Sequence, residues 1–405
     1  MITRRSLLGG LAAGAATASG IALAGRATGA TAPAAGSART GRAAAGMPLH
    51  LVNNSGAYAN SSVWVYIVGN DGTQQVHVTP EGELKPVALA DNGPDGFTDY
   101  AIPLAAGTTT LQLPYMSGRI YTALGGKLKF KAVQDGNGKA ALAYPAGWVS
   151  GDPNYDVLHD CAEFTYNSGG MYCNTTMVDM FSVPLAIKLT GAKEQTTGTL
   201  KDGARAKIFS DVRAADGFGR LVIDDKRVIA PGHGLDSGLF AKDYFAPAVD
   251  EAWSAYAGKD LTVTTDAGTF TGRVSGGKLS FTVPQGLKGQ GGAPTKTISF
   301  DKPSTRDVLF CDGTLAAPND GTLGPVAAIL GAALNRSTLT SQAHQPTTDP
   351  AAFYQQRLTN HYAKAMHAAA QDGKAYGFAF DDVAGFASYI EDGAPKEITL
   401  TLTPF

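Results

Sequence analysis

Between residues 160 and 185 the chain reads Asp160-Cys161-Ala162-Glu163-Phe164-Thr165-Tyr166-Asn167, a Ser168-Gly169-Gly170 turn, then Met171-Tyr172-Cys173-Asn174-Thr175-Thr176-Met177-Val178-Asp179-Met180-Phe181, with Pro184-Leu185 following. Its polar residues do not alternate cleanly toward solvent, as a half-buried strand would require. Glu163 and Asp179 sit in two strand-like arms joined by the glycine turn, so both can project from one face of a hairpin-like unit. Two acids among Thr, Asn and Tyr suit the hydrolysis of a glycosidic bond: one carboxylic acid protonates the leaving oxygen and one carboxylate activates water or attacks the sugar. Hydroxyls and amides can hold sugar hydroxyls, and an aromatic ring can stack under a pyranose. Spacing alone does not separate this reading from a pair of solvated surface acids.

Other polar residues carry two readings each. Asp381 and Asp382 either reach a groove and bind sugar or cap a turn. Asp160 either orients Glu163 or satisfies nearby backbone donors, and Arg119 makes either a structural ion pair or a ligand contact. His159 beside Cys161 suggests a metal, but no second histidine lies at ligand spacing, which leaves a partly exposed structural histidine. His233, in Pro231-Gly232-His233-Gly234, reads as a loop residue; His361 and His367 are six residues apart on a helix, off a common face, and read as surface or groove-rim residues. A Gly-x-Ser-x-Gly elbow is absent from the sequence. Cys161, Cys173 and Cys311 allow one disulfide; Cys161–Cys173 is the local pairing, and Cys311 with either partner is equally open. The spacing matches no compact zinc pattern, and two-carboxylate hydrolysis requires neither metal nor organic cofactor.

The elements that must position these residues change character along the chain. From Leu49 to about Leu200, short alternating runs at residues 63–68, 75–78, 100–102 and 128–130 read as strands, separated by Gly-Asn-Asp-Gly, Gly-Pro-Asp-Gly and Asp-Gly-Asn-Gly turns. That pattern is an all-β sandwich or barrel. Beyond residue 200, helical spacing at 204–215, 241–256 and 324–335 mixes with strands at 261–264 and 278–283. Asp349-Pro350 is an N-cap and first-turn signal for a helix ending before Asp372-Gly373, with Leu358, Tyr362, Ala365, Met366 and Ala369 on one face. The chain returns to β at 376–380 and closes with strict alternation over 398–402. A terminal strand needs neighbours, and the simplest topology gives it those of the N-terminal β region. The expected fold is therefore mainly β with an α/β insertion: a β domain at 47–204 and 373–405, a mixed α/β domain at 205–372, and a groove between them.

At 405 residues the chain exceeds what one core usually organises. Charged residues make up 17% and glycines number 50, a lightly charged, turn-rich surface. Net charge is −2 with no basic stripe, which excludes nucleic acid and favours a neutral polymer. Thr3-Arg4-Arg5-Ser6-Leu7-Leu8, a weakly apolar stretch and Ala30-Thr31-Ala32 read as a twin-arginine leader over residues 1–32, so the expected location is extracellular, with no membrane association after cleavage. Residues 33–46 read as a flexible linker. With no coiled-coil repeat or long hydrophobic edge, a monomer is expected.

Glu163-Phe164-Thr165-Tyr166, Asn174-Thr175-Thr176 and Val178-Asp179, with Phe181 and Pro184-Leu185, closely resemble the signature of glycoside hydrolase family 64, the laminaripentaose-producing β-1,3-glucanases and their relatives. Met116-Ser117-Gly118-Arg119-Ile120-Tyr121 with Leu124-Gly125, Val308-Leu309-Phe310-Cys311-Asp312-Gly313 and Phe378-Ala379-Phe380-Asp381-Asp382-Val383 resemble it too, so the likeness spans nearly the whole chain after the leader. The resemblance implies a thaumatin-like β-barrel or sandwich domain, a mixed α/β domain, and a wide groove for long β-1,3-glucan. It places Glu163 on the general acid and Asp179 on the general base of an inverting enzyme, and puts Thr165, Asn167 and Thr176 near the cleavage point. Tyr172 stands where a larger aromatic, commonly Trp, is expected, and Met177 where a polar residue, often Gln, is usual. The rival class is a non-catalytic β-glucan-binding or antifungal protein of thaumatin-like fold, since fold alone does not determine activity.

Overall fold

The computed structural model describes residues 46–288 and 295–405. The expected leader, and the linker apart from Gly46, lie outside the described residues. The chain opens with β1 (Met47–Asn53), β2 (Val63–Asn70), β3 (Gln75–Val78), β4 (Leu84–Pro86), β5 (Ile102–Pro103), β6 (Thr109–Leu113) and β7 (Met116–Leu124). A hairpin of β8 (Lys131–Gln134) and β9 (Ala140–Ala143) precedes β10 (Leu158–Asn167), β11 (Gly170–Asn174), β12 (Met180–Phe181), β13 (Leu185–Thr190) and β14 (Glu194–Thr197). Helix α1 (Ala204–Ala214), strands β15 (Val222–Ile223) and β16 (Arg227–Ile229), and helices α2 (Pro231–Asp236) and α3 (Ala246–Gly258) follow. Then come β17 (Leu261–Thr265), β18 (Gly268–Ser275), β19 (Lys278–Thr282) and β20 (Thr297–Phe300), and helices α4 (Thr305–Phe310) and α5 (Leu323–Asn335). The last elements are β21 (His344–Gln345), α6 (His361–Ala369), β22 (Tyr389–Asp392) and β23 (Glu397–Leu402).

The alternation in the last strand has a partner on each side. Strand β23 lies parallel to β1, with Leu49 opposite Ile398 and Leu51 opposite Leu400, and antiparallel to β13, in a five-stranded sheet ordered β14-β13-β23-β1-β6. Its apolar face packs on the larger sheet, ordered β22-β11-β10-β7-β2-β3-β4 with β5 beside β2, and the two faces share one buried cluster. The larger sheet is covered on both sides: Val63, Val65 and Ile67 of β2 point into that cluster, while Tyr66 and Val68 point the other way, against Tyr121, Phe130 and the β8–β9 hairpin. That is why β2 reads as a near-continuous apolar run.

A third cluster runs from Met177 to Val383 and joins the helices to the sheet β20-β19-β18-β17-β21. Helix α5 is buried on nearly every side, which accounts for its lack of a polar face.

Four local expectations are corrected. At 100–102 only Ile102 enters a strand, and 128–130 contributes only a bridge at Phe130. Residues 376–380 form no strand; Tyr376 bridges Thr176 alone. The helix expected from Asp349 is a single 3-10 turn, Pro350–Ala352, although Asp349 does cap it through the Ala351 N–H (2.9 Å). The chain then bends through Tyr354 at φ 59°, and α6 starts afresh from Asn360, whose side chain accepts the Ala363 N–H (3.1 Å). Tyr362, Ala365, Met366 and Ala369 are buried as the spacing requires, whereas Leu358 is only half-buried.

The expected disulfide is overturned as well: Cys161, Cys173 and Cys311 are all free and buried. Cys173 lies opposite Phe164 and faces the core between the two large sheets. Cys161, an odd number of residues from Phe164, points to the other face, and Cys311 lies in the third cluster. A Cys161–Cys173 bond would have to pass through the sheet.

Candidate functional site

Register brings the polar side chains of the signature together. In the antiparallel ladder β7-β10-β11, Arg119, Glu163 and Asn174 lie directly opposite one another, so their side chains share one face. Phe164 and Ala162 fill the other face with core, which fixes which way Glu163 must point. Arg119 donates to Glu163 Oε1 from Nη2 (2.9 Å) and Nε (3.1 Å), and Asn174 Nδ2 donates to Glu163 Oε2 (3.3 Å).

Asp179 is not on the second arm of the hairpin, because β11 ends at Asn174. The chain leaves the sheet and returns, and Asp179 is held immediately before β12, where its carbonyl accepts the Ala230 N–H (3.1 Å) beside the β12–β16 pair. From there its Oδ2 accepts from Arg119 Nη1 (3.4 Å) and its Oδ1 from His233 Nε2 (2.8 Å). One guanidinium therefore lies between the two candidate carboxylates. His233 belongs to α2, which Pro231 opens at its first position; its ring stacks on Trp148 (4.3 Å between centroids, 21°) and meets the edge of Phe310 (5.6 Å, 79°).

The charges are nearly but not wholly enclosed: the side chains of Glu163, Arg119, His233 and Asp179 are 11%, 15%, 15% and 25% exposed. Burial by itself would raise the Asp179 carboxyl, but the His233 hydrogen bond and the Arg119 charge outweigh it and hold the group below the ordinary carboxylate range. Arg119, despite burial, is held more firmly protonated than usual by the anionic and phenolic groups around it. Asp160 is a different case. Burial pushes it up to about 7 against three backbone donors, Ser182 (2.8 Å), Cys161 (3.1 Å) and Val183 (3.2 Å), so its role is to tie β10 to the segment after β12.

The other expected residues divide. Thr165 shares the face of Glu163 and donates to Ser117 Oγ (3.0 Å); Tyr172 stands opposite it and bonds the Gly169 carbonyl (3.2 Å). Asn167 closes the turn by accepting the Gly169 N–H (2.7 Å), and Thr176 lines the same small cleft as Arg119, Trp148 and Asp179. Met177 is core, with its carbonyl accepting the Tyr362 hydroxyl (2.6 Å). Asp381 does not reach a groove: it is wholly buried, paired with Arg336 (2.9 Å) and His367 (2.9 Å), and accepts the Gly377 N–H (2.9 Å). Asp382 is half-buried and lines a separate cavity.

Two histidines are corrected with it. His367 is buried against Asp381, not at a rim, and His159 is fully buried and neutral, its basicity pushed down to about 3 by burial, with Nδ1 against the Val157 carbonyl (2.7 Å). Among the described residues no cluster of three or more His, Cys, Asp or Glu is arranged to hold a metal. Sequence reasoning misses His233 and Trp148; the one local signal was Pro231, which marks a helix start where a loop was read.

Comparison with known proteins identifies the family. Residues 45–402 match the family model described as Beta-1,3-glucanase, glycoside hydrolase family 64. A glucan endo-1,3-beta-glucosidase from Cellulosimicrobium cellulans is 34% identical over 89% of this chain, which spans 65% of that relative's length. Among solved structures, a laminaripentaose-producing β-1,3-glucanase in complex with laminaritetraose is 35% identical, with a TM-score of 0.78 over 89% of this chain and 99% of that one. A family 64 β-1,3-glucanase domain from Clostridium beijerinckii is 27% identical, with a TM-score of 0.76 over 89% and 98%. With the model covering all but the first segment and the last three residues, the chain belongs to glycoside hydrolase family 64, the β-1,3-glucanases.

Proposed function

We propose that this protein is a secreted endo-β-1,3-glucanase that cuts long linear β-1,3-glucan into short oligosaccharides, laminaripentaose foremost, by inversion, with Glu163 as general acid and Asp179 as general base. The observation that carries the reading is that one guanidinium, that of Arg119, pairs with both carboxylates through different nitrogens, and that Asp179 is held on the ionised side. A relative that yields laminaripentaose and was solved with laminaritetraose supports the substrate and product. Export is read from the leader at residues 1–32.

Asp179 is the base because its two oxygens are already committed to cationic or donor groups that favour the charged form. It takes a proton from a water that attacks the anomeric carbon from the face opposite the leaving oxygen. Glu163 gives its proton to that oxygen. With Glu163 neutral, its O–H needs an acceptor until the sugar arrives, and the buried Asn174 Oδ1, which has no hydrogen-bond partner among the described residues, supplies one once the amide turns over. Two hydrogen bonds and the width of one guanidinium set the largest span between the carboxyls. That limit accommodates the separation of roughly 6.5–9.5 Å expected of an inverting pair, where a retaining pair stands at about 5–5.5 Å. Arg119 stays charged throughout and offsets the negative charge that moves from Asp179 to Glu163 during the turnover.

The test is incubation of the protein with linear β-1,3-glucan, products resolved by size and anomer, beside Glu163→Gln and Asp179→Asn. Discrete α-anomeric oligosaccharides that vanish in both variants are the expected result. Retention on insoluble glucan with no soluble product would mean a binding protein instead.

A further inference from the structure

Trp148, whose ring is stacked on His233, stands in the irregular connection between β9 and β10, where no ladder holds it. What fixes it comes from β16. The Arg227 side chain is wholly buried; its Nη1 donates to the Gly147 carbonyl (2.5 Å) and its Nη2 to the Val157 carbonyl (2.8 Å). One guanidinium thus ties the residue before Trp148 to the residue before β10, with the Tyr155 ring against it (5.5 Å to the centroid). A Cβ on Gly147 would strike Arg227 Nη1 and the His159 ring, so glycine is what lets the loop backbone come this close.

The same strand carries the other half of the stack. β16 lies against β12, which begins directly after Asp179, and Ala230, one residue beyond β16, donates its N–H to the Asp179 carbonyl (3.1 Å). Helix α2 then brings His233 to Asp179 Oδ1 (2.8 Å). β16 therefore sets the backbone of Asp179 and the start of the helix that carries the histidine, and Arg227 reaches from it to seat the tryptophan. Burial works against the guanidinium charge, Asp160 is the largest of the acidic influences that offset it, and Nε has no hydrogen-bond partner among the described residues. An apolar side chain would fill such a place with less desolvation. The contribution of Arg227 lies in where it holds two carbonyls.

Around Asp179 stand Arg119 from β7, Glu163 and Cys161 from β10, His233 from α2 and Tyr362 from α6. His233 is the member of this set whose ring rests on Trp148. Burial raises the Asp179 carboxyl, and the His233 hydrogen bond is the largest of the influences that oppose it. A ring free to turn holds that bond less well. We propose that Arg227 is a positioning residue for the reaction: by clipping Gly147 to Val157 it seats Trp148 on the His233 ring and so fixes the geometry in which His233 holds Asp179. The inference rests on the glucanase reading above.

Arg227→Met, Arg227→Lys and Gly147→Ala, made in the full chain, are compared with wild type and His233→Ala on a long laminari-oligosaccharide across pH, with rates scaled to the folded fraction. The seating of Trp148 is read without substrate, as the near-ultraviolet circular dichroism lost on adding Trp148→Phe to each protein. In Arg227→Met the tryptophan contribution shrinks, kcat falls about tenfold with KM little changed, and the acidic limb of kcat/KM moves toward neutrality, as in His233→Ala but less far. Arg227→Lys, with one ammonium in place of the planar fork, recovers part of each change. Gly147→Ala pushes the loop off the same contact from the other side and moves the limb in the same direction, which keeps the test decisive if Arg227→Met fails to fold. Turnover in wild type together with an unmoved acidic limb in the folded variants, whatever the tryptophan signal does, overturns the proposal and leaves Arg227 a structural residue. No product from wild type on any β-1,3-glucan overturns the glucanase reading itself, and the catalytic role of Arg227 falls with it.

Discussion

His233 is the residue on which the charge of Asp179 depends. Its Nε2–H reaches Asp179 Oδ1 at 2.8 Å, and Trp148 and Phe310 fix the ring plane from two sides. Replacing it by alanine removes the hydrogen bond that helps hold Asp179 below the ordinary range and leaves burial, which acts upward, less opposed. Asp179, the proposed base, then protonates at higher pH, so the acidic limb of the kcat/KM profile moves toward neutrality, with kcat reduced roughly ten- to a hundredfold. His233→Gln, which keeps an N–H donor, recovers part of both losses; a profile that does not move in His233→Ala would show that the histidine serves packing alone. Glu163 is legible in the sequence because the hairpin around it is local, and the family signature supplies Asp179. His233 is not, since its partner lies 54 residues away and only β16 and the turn into α2 bring the two together. Arg119 is half legible: an ion pair and a ligand contact are both weighed, and it pairs with two acids at once.

At the level of elements, the least legible feature is the region from α5 to β22. Asp349-Pro350 carries a sound cap signal, yet the helix stops after one turn and restarts at Asn360, which is also bonded to Asn335 Oδ1 (2.9 Å). Tertiary contact to α5 overrides the local pattern. The same region is pinned by a buried ionic cluster. Arg336 and Asp381 are 2% and 0% exposed, and His367 from α6 completes the group, with Phe353, Phe378 and Phe386 around the guanidinium. Asp381→Asn leaves Arg336 buried beside a neutral amide, and breaking such a pair costs about 3–5 kcal/mol.

The pH dependence of that cluster has two sides. Burial alone would raise Asp381, but His367 and Arg336 hold it low, so its contribution is present above the ordinary carboxylate range and is lost as pH falls through its depressed value. Burial alone would lower His367, but Asp381 raises it, so its contribution is complete below the ordinary histidine range and is lost as pH rises through the elevated value. Wild-type stability, followed by urea unfolding against pH, therefore declines on both sides of a mildly acidic window. Asp381→Asn loses most of both slopes along with its stability, while an unaltered alkaline slope would place the titrating group elsewhere.

For the molecule as a whole, the last strand is the organising fact. The sequence shows β23 as a strict alternation that must find neighbours, and those neighbours are β1 and β13, from the beginning and middle of the chain. Ile398, Leu400 and Leu402 are at most 1% exposed and sit in the cluster that joins the two large sheets. Each such side chain stabilises the fold by about 1.5–3 kcal/mol when buried, and their sum is comparable with the roughly 5–15 kcal/mol of a whole domain. Removing residues 397–405 also leaves β1 and β13 facing one another across a missing strand, with their backbone donors and acceptors unpaired. The central position of β23 further means that the five-stranded sheet cannot close until the whole chain is available, a non-local pairing of the kind that slows folding. A chain ending at residue 396 should therefore lose near-ultraviolet circular dichroism and cooperative urea unfolding, and the cleft with them, since β10 and β11 rest on the same core as β23. The opposite outcome, cooperative unfolding with glucanase turnover in the truncated chain, would show that the eight-stranded sheet and the helical core hold the site without the sheet packed against them.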